Sequence, residues 1–253
     1  VYVFPYSDVL TTGIVRRTYW YSLLDNLWNN TTWNNPEVDN PRIFSLPSIE
    51  EKGFEHDELV VVRVNLEKNP ACLHGYFQSY KYFEKYTDDI MSLFSPNETE
   101  KIAMNNHYGH LFDKETVSIH IRRGDYENLS DYHVNLPESY YLDAMTCFST
   151  DVRFIVFSDD IEWCKQKINL PNTDVQFIIG EPDWMDLYLM SWCNHNIIAN
   201  STFSWWGAFL NTNKNKKVVI PDQWFGPSQP SNVNTKDLFP EEWKTVNELS
   251  NKN

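Results

Sequence analysis

No run of about 18 apolar residues interrupts this 253-residue chain, and no signal-peptide pattern opens it. That absence points to cytoplasmic residence, although a Golgi-lumenal domain cut from its anchor would read the same way. Positive charge is scarce: 21 Lys and Arg stand against 35 Asp and Glu, a formal net charge of −14. Such an excess repels DNA, RNA and anionic membranes, so nucleic-acid partners are excluded and any cationic site must be local. Cysteine is rare too. Cys72, Cys147, Cys164 and Cys193 form no CxxC pair and no His-flanked zinc spacing, and read as free thiols of a reducing compartment. No P-loop occurs, which argues against simple nucleotide hydrolysis. Asn-x-Ser/Thr at Asn29, Asn30, Asn97, Asn128 and Asn200 is expected from an asparagine-rich composition.

Aromatic residues are plentiful: they make up 15% of the chain, with ten tryptophans. Flat rings fill cores and also suit the faces of sugars and bases, so they point only weakly to either. The length exceeds one ordinary core, so two lobes or one large α/β unit are expected.

The first hundred residues are irregular. "TTWNNPEVDNPRIFSLPSIEEKGFEHDE" reads as a polar surface excursion, and "LVVVRVN" at 59–65 as a buried strand. Phe83, Tyr86, Ile90 and Phe94 then recur at helical spacing until Pro96, and the polar stretch 97–114 reads as a linker. From Thr116 the pattern becomes regular. The strands "TVSIHI", "VRFIVFS", "VQFII", "NIIAN" and "KKVVIP" alternate with the helical stretches "PESYYLDAMTCF", "DIEWCKQKI", "DWMDLYLMSWCN" and "SWWGAFLN", which predicts a doubly wound parallel sheet. The division expected is an amino-terminal, acceptor-side lobe over 1–112 and a Rossmann-like, donor-side lobe over 113–253.

In such sheets ligands bind beyond the carboxyl ends of the strands. Polar clusters fall there: Arg122, Arg123 and Asp125, then Ser158, Asp159 and Asp160, then Glu181 and Asp183, then Asn200, Ser201 and Thr202. Two adjacent arginines beside His120 offer planar forks suited to a diphosphate, with each charge-assisted bond contributing ~1.5–3 kcal/mol. The alternative is an Arg122–Asp125 structural bridge. Asp159 and Asp160 could hold Mg²⁺, but their place before a helix fits capping, or orienting the arginines, at least as well. "NSTFSWWGAF" runs from a strand end into a helix, whose first-turn N–H groups and hydroxyls make a second anion cradle; the plain reading is a Ser/Thr cap. Asp186 could accept from the N1–H and N2–H₂ of guanine, or simply face solvent.

"HIRRGDY" at 120–126, "FSDD" at 157–160 and "NSTFSWWGAFL" at 200–210, together with "GYFQSYKYF" at 75–83, resemble the motifs of the α-1,2-fucosyltransferases of glycosyltransferase family 11. The Arg motif alone is shared with α-1,6- and protein O-fucosyltransferases; the "NSTFSWW" string points to the α-1,2 group. The resemblance implies a GT-B-like fold of two Rossmann-like lobes and an inverting transfer of L-fucose from GDP-β-L-fucose to the 2-hydroxyl of a galactose-terminated glycan, with no required metal or other cofactor. It also implies that Arg122 holds the β-phosphate, that His120 and Asp186 meet the guanine, and that Ser201, Thr202, Phe203 and Ser204 line the diphosphate pocket. Asp125 is the candidate general base, and Arg123, Asp159, Asp160 and Asn200 complete the donor-side set. Family members open with a strand and a "GGLGNQ" turn, whereas this sequence begins "VYVFPYSDVL", so a first lobe without that element is expected. Rival readings are a non-catalytic sugar- or nucleotide-binding relative on the same fold, and a fucosyltransferase of α-1,6 or protein O-linkage.

Overall fold

A computed structural model describes residues 47–66, 71–229 and 233–250. It divides into two compact units: residues 1–95 with 234–239, and residues 96–233 with 240–253. The division thus falls at 95/96, where the sequence pattern suggested 112/113.

In the first unit, β1 (Ser48–Glu50) pairs in parallel with β2 (Cys72–His74), and helix α1 (Glu58–Leu66) lies between them in sequence. The stretch read as a buried strand is therefore helical. A run of apolar residues without alternation does not distinguish strand from buried helix, and here Leu59, Val62 and Val64 of that run stay exposed. Two 3-10 turns, Tyr80–Tyr82 and Glu84–Tyr86, lead into α2 (Thr87–Leu93), which follows the helical spacing of Phe83 to Phe94.

The second unit opens with a helix where a linker was expected, α3 (Glu98–Tyr108). Its start is a capping box: the Asn97 side chain accepts from the Glu100 N–H, and the Glu100 carboxylate accepts from the Asn97 N–H. Met104 is its buried residue. Then come β3 (Thr116–Ile121), α4 (Glu138–Met145), β4 (Arg153–Ser158), α5 (Ile161–Lys167), β5 (Asp174–Phe177), α6 (Asp183–Trp192), β6 (His195–Ile197), α7 (Thr202–Phe209), β7 (Val218–Ile220), β8 (Lys244–Thr245) and α8 (Val246–Ser250). Each strand and helix expected between 116 and 220 is present.

The six strands stand in the order β5-β4-β3-β6-β7-β8, every pair parallel. All six residues of β3 are buried, as a central strand covered on both faces requires. Val117, Ile119 and Ile121 face a core built with Tyr141 and Met145 of α4, Phe154 and Val156 of β4, and Cys164 of α5. The pleat sends Ser118 and His120 to the other face. There Asn196 donates to Ser118 Oγ (2.7 Å) and to the Met190 carbonyl of α6 (2.9 Å). The chain leaves β3 for β4 on one side and reaches β6 on the other, so the strand order reverses between β3 and β6. Doubly wound sheets open their ligand crevice at that point.

Cys147, Cys164 and Cys193 are free thiols, with Cys164 and Cys193 buried. Among the described residues no helix is long and apolar enough to cross a membrane.

Candidate functional site

The ends of β3 and β6 are neighbours by sheet order, and two contacts join the segments that leave them. The His120 ring lies 5.3 Å from the Phe203 ring of α7, and the Tyr126 hydroxyl donates to the Asn200 carbonyl at 3.1 Å. The "HIRRGDY" and "NSTFSWW" segments, 80 residues apart in sequence, therefore meet at one edge of the sheet.

After β3 the chain turns through a 3-10 segment, Gly124–Asn128. Gly124 leaves room there: a Cβ would stand 2.6 Å from Asp159 Oδ2 and would displace that carboxylate. With that room, Asp159 comes in beneath the turn and accepts from the Arg123 N–H at 2.9 Å while pairing with the Arg122 guanidinium at 3.1 Å. Arg122 also pairs with Asp125 Oδ1 at 2.7 Å and lies over the Tyr126 ring, 5.5 Å from its centroid. Its side chain remains 36% exposed.

Arg123 is placed differently. It pairs with Asp160 (3.2 Å) and Glu127, stacks over the Trp163 ring at 4.2 Å, and is 17% exposed. Asp160 in turn caps α5 through the Trp163 N–H at 3.2 Å, as its position before the helix suggested. Two guanidiniums thus face four carboxylates, and both members of the Asp159–Asp160 pair are engaged by arginine.

His120 is not part of a cationic group. Burial, reinforced by the Arg122 charge, pushes its pKa down to about 3, so the ring is neutral near pH 7. Its Nδ1 is buried and has no hydrogen-bond partner among the described residues. The ring offers one N–H and one lone pair rather than a charge.

On the β6 side, Asn200 is a brace. Its side-chain amide donates to the Val134 and Trp224 carbonyls, both at 3.0 Å, and ties two loops to the strand end. Ser204 turns inward: its hydroxyl donates to the Ala199 and Ser201 carbonyls. Ser201 occupies the cap position of α7 in extended conformation without making a side-chain cap bond, and Thr202 is exposed. The first turn of a helix has N–H groups with no partner inside the helix and carries the positive end of its dipole. At the other end of α7 the buried Lys216 ammonium donates to the Ala208 (2.7 Å), Phe209 (3.3 Å) and Asn211 (2.7 Å) carbonyls, its pKa lowered to about 8 by that burial. The helix is capped by a cation at its C-terminus and keeps anion-binding capacity at its N-terminus.

Asp186 lies in the first turn of α6. Burial, with Glu181 and Asp183 nearby, raises its pKa to about 7, and its Oδ1 is buried without a partner among the described residues. Glu181 accepts the Tyr108 hydroxyl, which links α3 to the loop after β5.

Several of these participants carry no signal in the sequence pattern. Tyr126 stacks on His133 (4.2 Å between centroids, 9° between planes), and Trp163 lies under Arg123; both contacts are tertiary and leave no periodicity to read. Glu181 is visible only as a strand-end acid, and Tyr108 falls within the segment expected to be a linker.

The chain spans about half the length of the curated relatives it matches. It is 40% identical over 172 residues to an O-antigen biosynthesis glycosyltransferase, WbnK, of Escherichia coli, covering 61% of this chain and 55% of that protein. It is 38% identical over 149 residues to an alpha-1,2-colitosyltransferase of Escherichia coli, covering 54% and 50%. A galactoside alpha-(1,2)-fucosyltransferase 1 of Alouatta belzebul is 28% identical over 171 residues, covering 61% and 47%. Among solved structures, a NodZ alpha-1,6-fucosyltransferase co-crystallized with GDP superposes with a TM-score of 0.43 at 16% identity, covering 71% of this chain and 62% of the other. The family description "Glycosyl transferase family 11" matches residues 33–247, a span that takes in the β3 and β6 strand ends and the helices they feed. On that match the chain belongs to glycosyl transferase family 11.

Proposed function

We propose that this protein transfers L-fucose from GDP-β-L-fucose to the 2-hydroxyl of a terminal β-galactoside, with inversion at the anomeric carbon and without a metal. One observation carries the reading: the partly exposed Arg122 and the uncapped first turn of α7 are held at one sheet edge, where the strand order reverses. Family membership and the α-1,2 activities named for the relatives support it.

In this mechanism the acceptor 2-hydroxyl oxygen attacks the anomeric carbon as the bond to the β-phosphate oxygen breaks. GDP departs with the bonding electron pair, and the hydroxyl proton passes to a base, for which Asp125 is the candidate. The sugar passes through an oxocarbenium-like state while negative charge builds on the diphosphate. Arg122 and the α7 amides oppose that charge, so they act chiefly on the transition state. Asp159, Asp160 and Arg123 hold the turn that presents Arg122. Neutral His120 and the high-pKa Asp186 are suited to a base edge carrying both donors and an acceptor, such as that of guanine.

A second donor is favoured by the 38% identical relative named a colitosyltransferase: GDP-colitose, whose sugar is the 3-deoxy counterpart of L-fucose. Incubation with each nucleotide sugar and a β-galactoside, with the product linkage assigned by NMR, tests both. Transfer of fucose giving an α-1,2 linkage, undiminished by EDTA, is expected. Preferential use of the 3-deoxy sugar would move the donor assignment, a 1,6 linkage would move the regiochemistry, and binding of GDP without any transfer would make the protein a non-catalytic relative.

A further inference from the structure

Tyr126 takes no part in the transfer step described above, yet it touches both edges of the second unit that could hold an anion. It lies buried in the turn after β3, and three contacts hold it there. Its ring stacks on His133, its backbone carbonyl accepts from the Asn135 side-chain amide at 3.1 Å, and its hydroxyl donates to the Asn200 carbonyl at 3.1 Å. The backing ring is fixed in turn, since the His133 N–H donates to the Leu129 carbonyl at 2.9 Å and His133 forms an antiparallel bridge with Phe225. Burial pushes the Tyr126 pKa up to about 12, so the hydroxyl keeps its proton and stays a donor.

The bond to Asn200 does more than tie two segments together. The peptide joining Asn200 to Ser201 is trans and flat, so the Asn200 carbonyl and the Ser201 N–H share one plane and point in opposite directions. By holding the carbonyl, Tyr126 sets the direction of that N–H. Ser201 is only 8% exposed, and its N–H has no hydrogen-bond partner among the described residues. A buried main-chain donor left unpaired is rare and costly, which suits it to a partner that arrives with a ligand. The same Tyr126 ring carries the Arg122 guanidinium 5.5 Å from its centroid, a cation–π contact. One side chain therefore aims a main-chain donor on the β6 side and supports the partly exposed guanidinium on the β3 side.

We propose that Tyr126 is a positioning residue that aligns the Ser201 N–H and the Arg122 guanidinium on one diphosphate. The inference rests on the donor reading above for the identity of the anion, and on the Tyr126 contacts themselves for the alignment.

The test uses the full chain as wild type, Tyr126→Phe, which removes one oxygen and keeps the ring, and Tyr126→Leu, which removes both. Hydrogen exchange of the free protein reads the alignment without any ligand, calorimetry with inorganic pyrophosphate and with GDP reads anion binding, and steady-state kinetics with GDP-fucose reads transfer. In Tyr126→Phe, exchange across residues 200–205 should quicken by about tenfold or more. Pyrophosphate and GDP should bind about five- to tenfold more weakly. The kcat should fall by roughly tenfold with the acceptor KM unchanged, since an aimed N–H opposes charge that develops as GDP leaves. Tyr126→Leu should lose more on every count, because Arg122 also loses its support; should that variant not fold, Tyr126→Phe decides alone. Wild-type anion affinity and kcat in Tyr126→Phe overturn the proposal, even where exchange quickens, because the bond would then serve only the fold. A change confined to the acceptor KM overturns it too, by placing the ring against the acceptor. Failure of the donor reading is seen separately, as a wild type that binds pyrophosphate but neither binds GDP nor transfers fucose; the positioning role is then judged on pyrophosphate. A folded wild type that binds neither anion overturns both.

Discussion

The edge after β3 and the edge after β6 could both bind an anion, and they are built on opposite terms. After β3, formal charge is abundant and largely spent: two guanidiniums are shared among four carboxylates. After β6 the segment 198–210 carries no formally charged residue, only a helix start whose cap position makes no side-chain bond. A count of arginines would place the anion site entirely at β3. The geometry instead makes Arg122 an oriented donor in a turn whose carboxylates outnumber its cations, and leaves the positive end of α7 without a side-chain cap. A chain of strongly negative charge can thus offer local positive potential at one sheet edge by orienting a few dipoles and one guanidinium.

Substitution at Arg122 should disturb this division of labour most. Arg122→Ala should lower kcat on the order of 10²- to 10³-fold, since it removes a donor aimed at charge that develops only in the transition state. Stopped assays under saturating GDP-fucose would read this, and a loss confined to KM would contradict it. Asp125→Asn comes next: as the base, its loss should lower kcat by roughly 10²-fold, whereas a change within a few-fold would leave Asp125 only as the partner that holds Arg122 at 2.7 Å. Arg123→Ala separates the roles of the two arginines. It should cost about 1–2 kcal/mol of stability, seen as a lower Tm, while kcat changes little; a loss matching that of Arg122→Ala would show both guanidiniums on the substrate.

The smallest effect expected is one of pH. Asp186 has a pKa raised to about 7 by burial and by Glu181 and Asp183. If its ionised form accepts from guanine, GDP affinity should weaken as pH falls through 7, and Asp186→Asn should be weaker throughout but flat across that range. For stability the sign is opposite. The native state holds this proton where the unfolded chain has released it, so its contribution is present near pH 4 and is lost as pH rises to about 7. Asp186→Asn should therefore melt like wild type at pH 4 and above it at pH 8.

How much of this is legible in the sequence depends on which forces leave a periodic mark. Between 116 and 220 short buried runs alternate with amphipathic helices, and every strand and helix there can be read, as can the convergence of their loops on one edge. "LVVVRVN" misleads because a short valine-rich run without strict alternation has no clear period to consult; it lies in the helix α1. The linker reading of 97–114 has contrary evidence in plain view, since Asn97 followed three residues later by Glu100 is a capping signature. Within the site, Asp160 as a helix cap and Arg122 with Asp125 are foreseeable from spacing. The commitment of Arg123 to Trp163 and the neutrality of His120 are not, because each depends on burial or contact by residues beyond the local pattern.

That the β3 and β6 edges together hold a guanine nucleotide diphosphate without metal is tested most directly by calorimetry. GDP would be titrated into the wild-type chain, Arg122→Ala and Arg123→Ala, with and without EDTA. We expect micromolar binding by wild type that EDTA leaves intact, weakening of about tenfold or more in Arg122→Ala, and near wild-type affinity in folded Arg123→Ala. A folded wild type that does not bind GDP, or binding that disappears with EDTA, would contradict it.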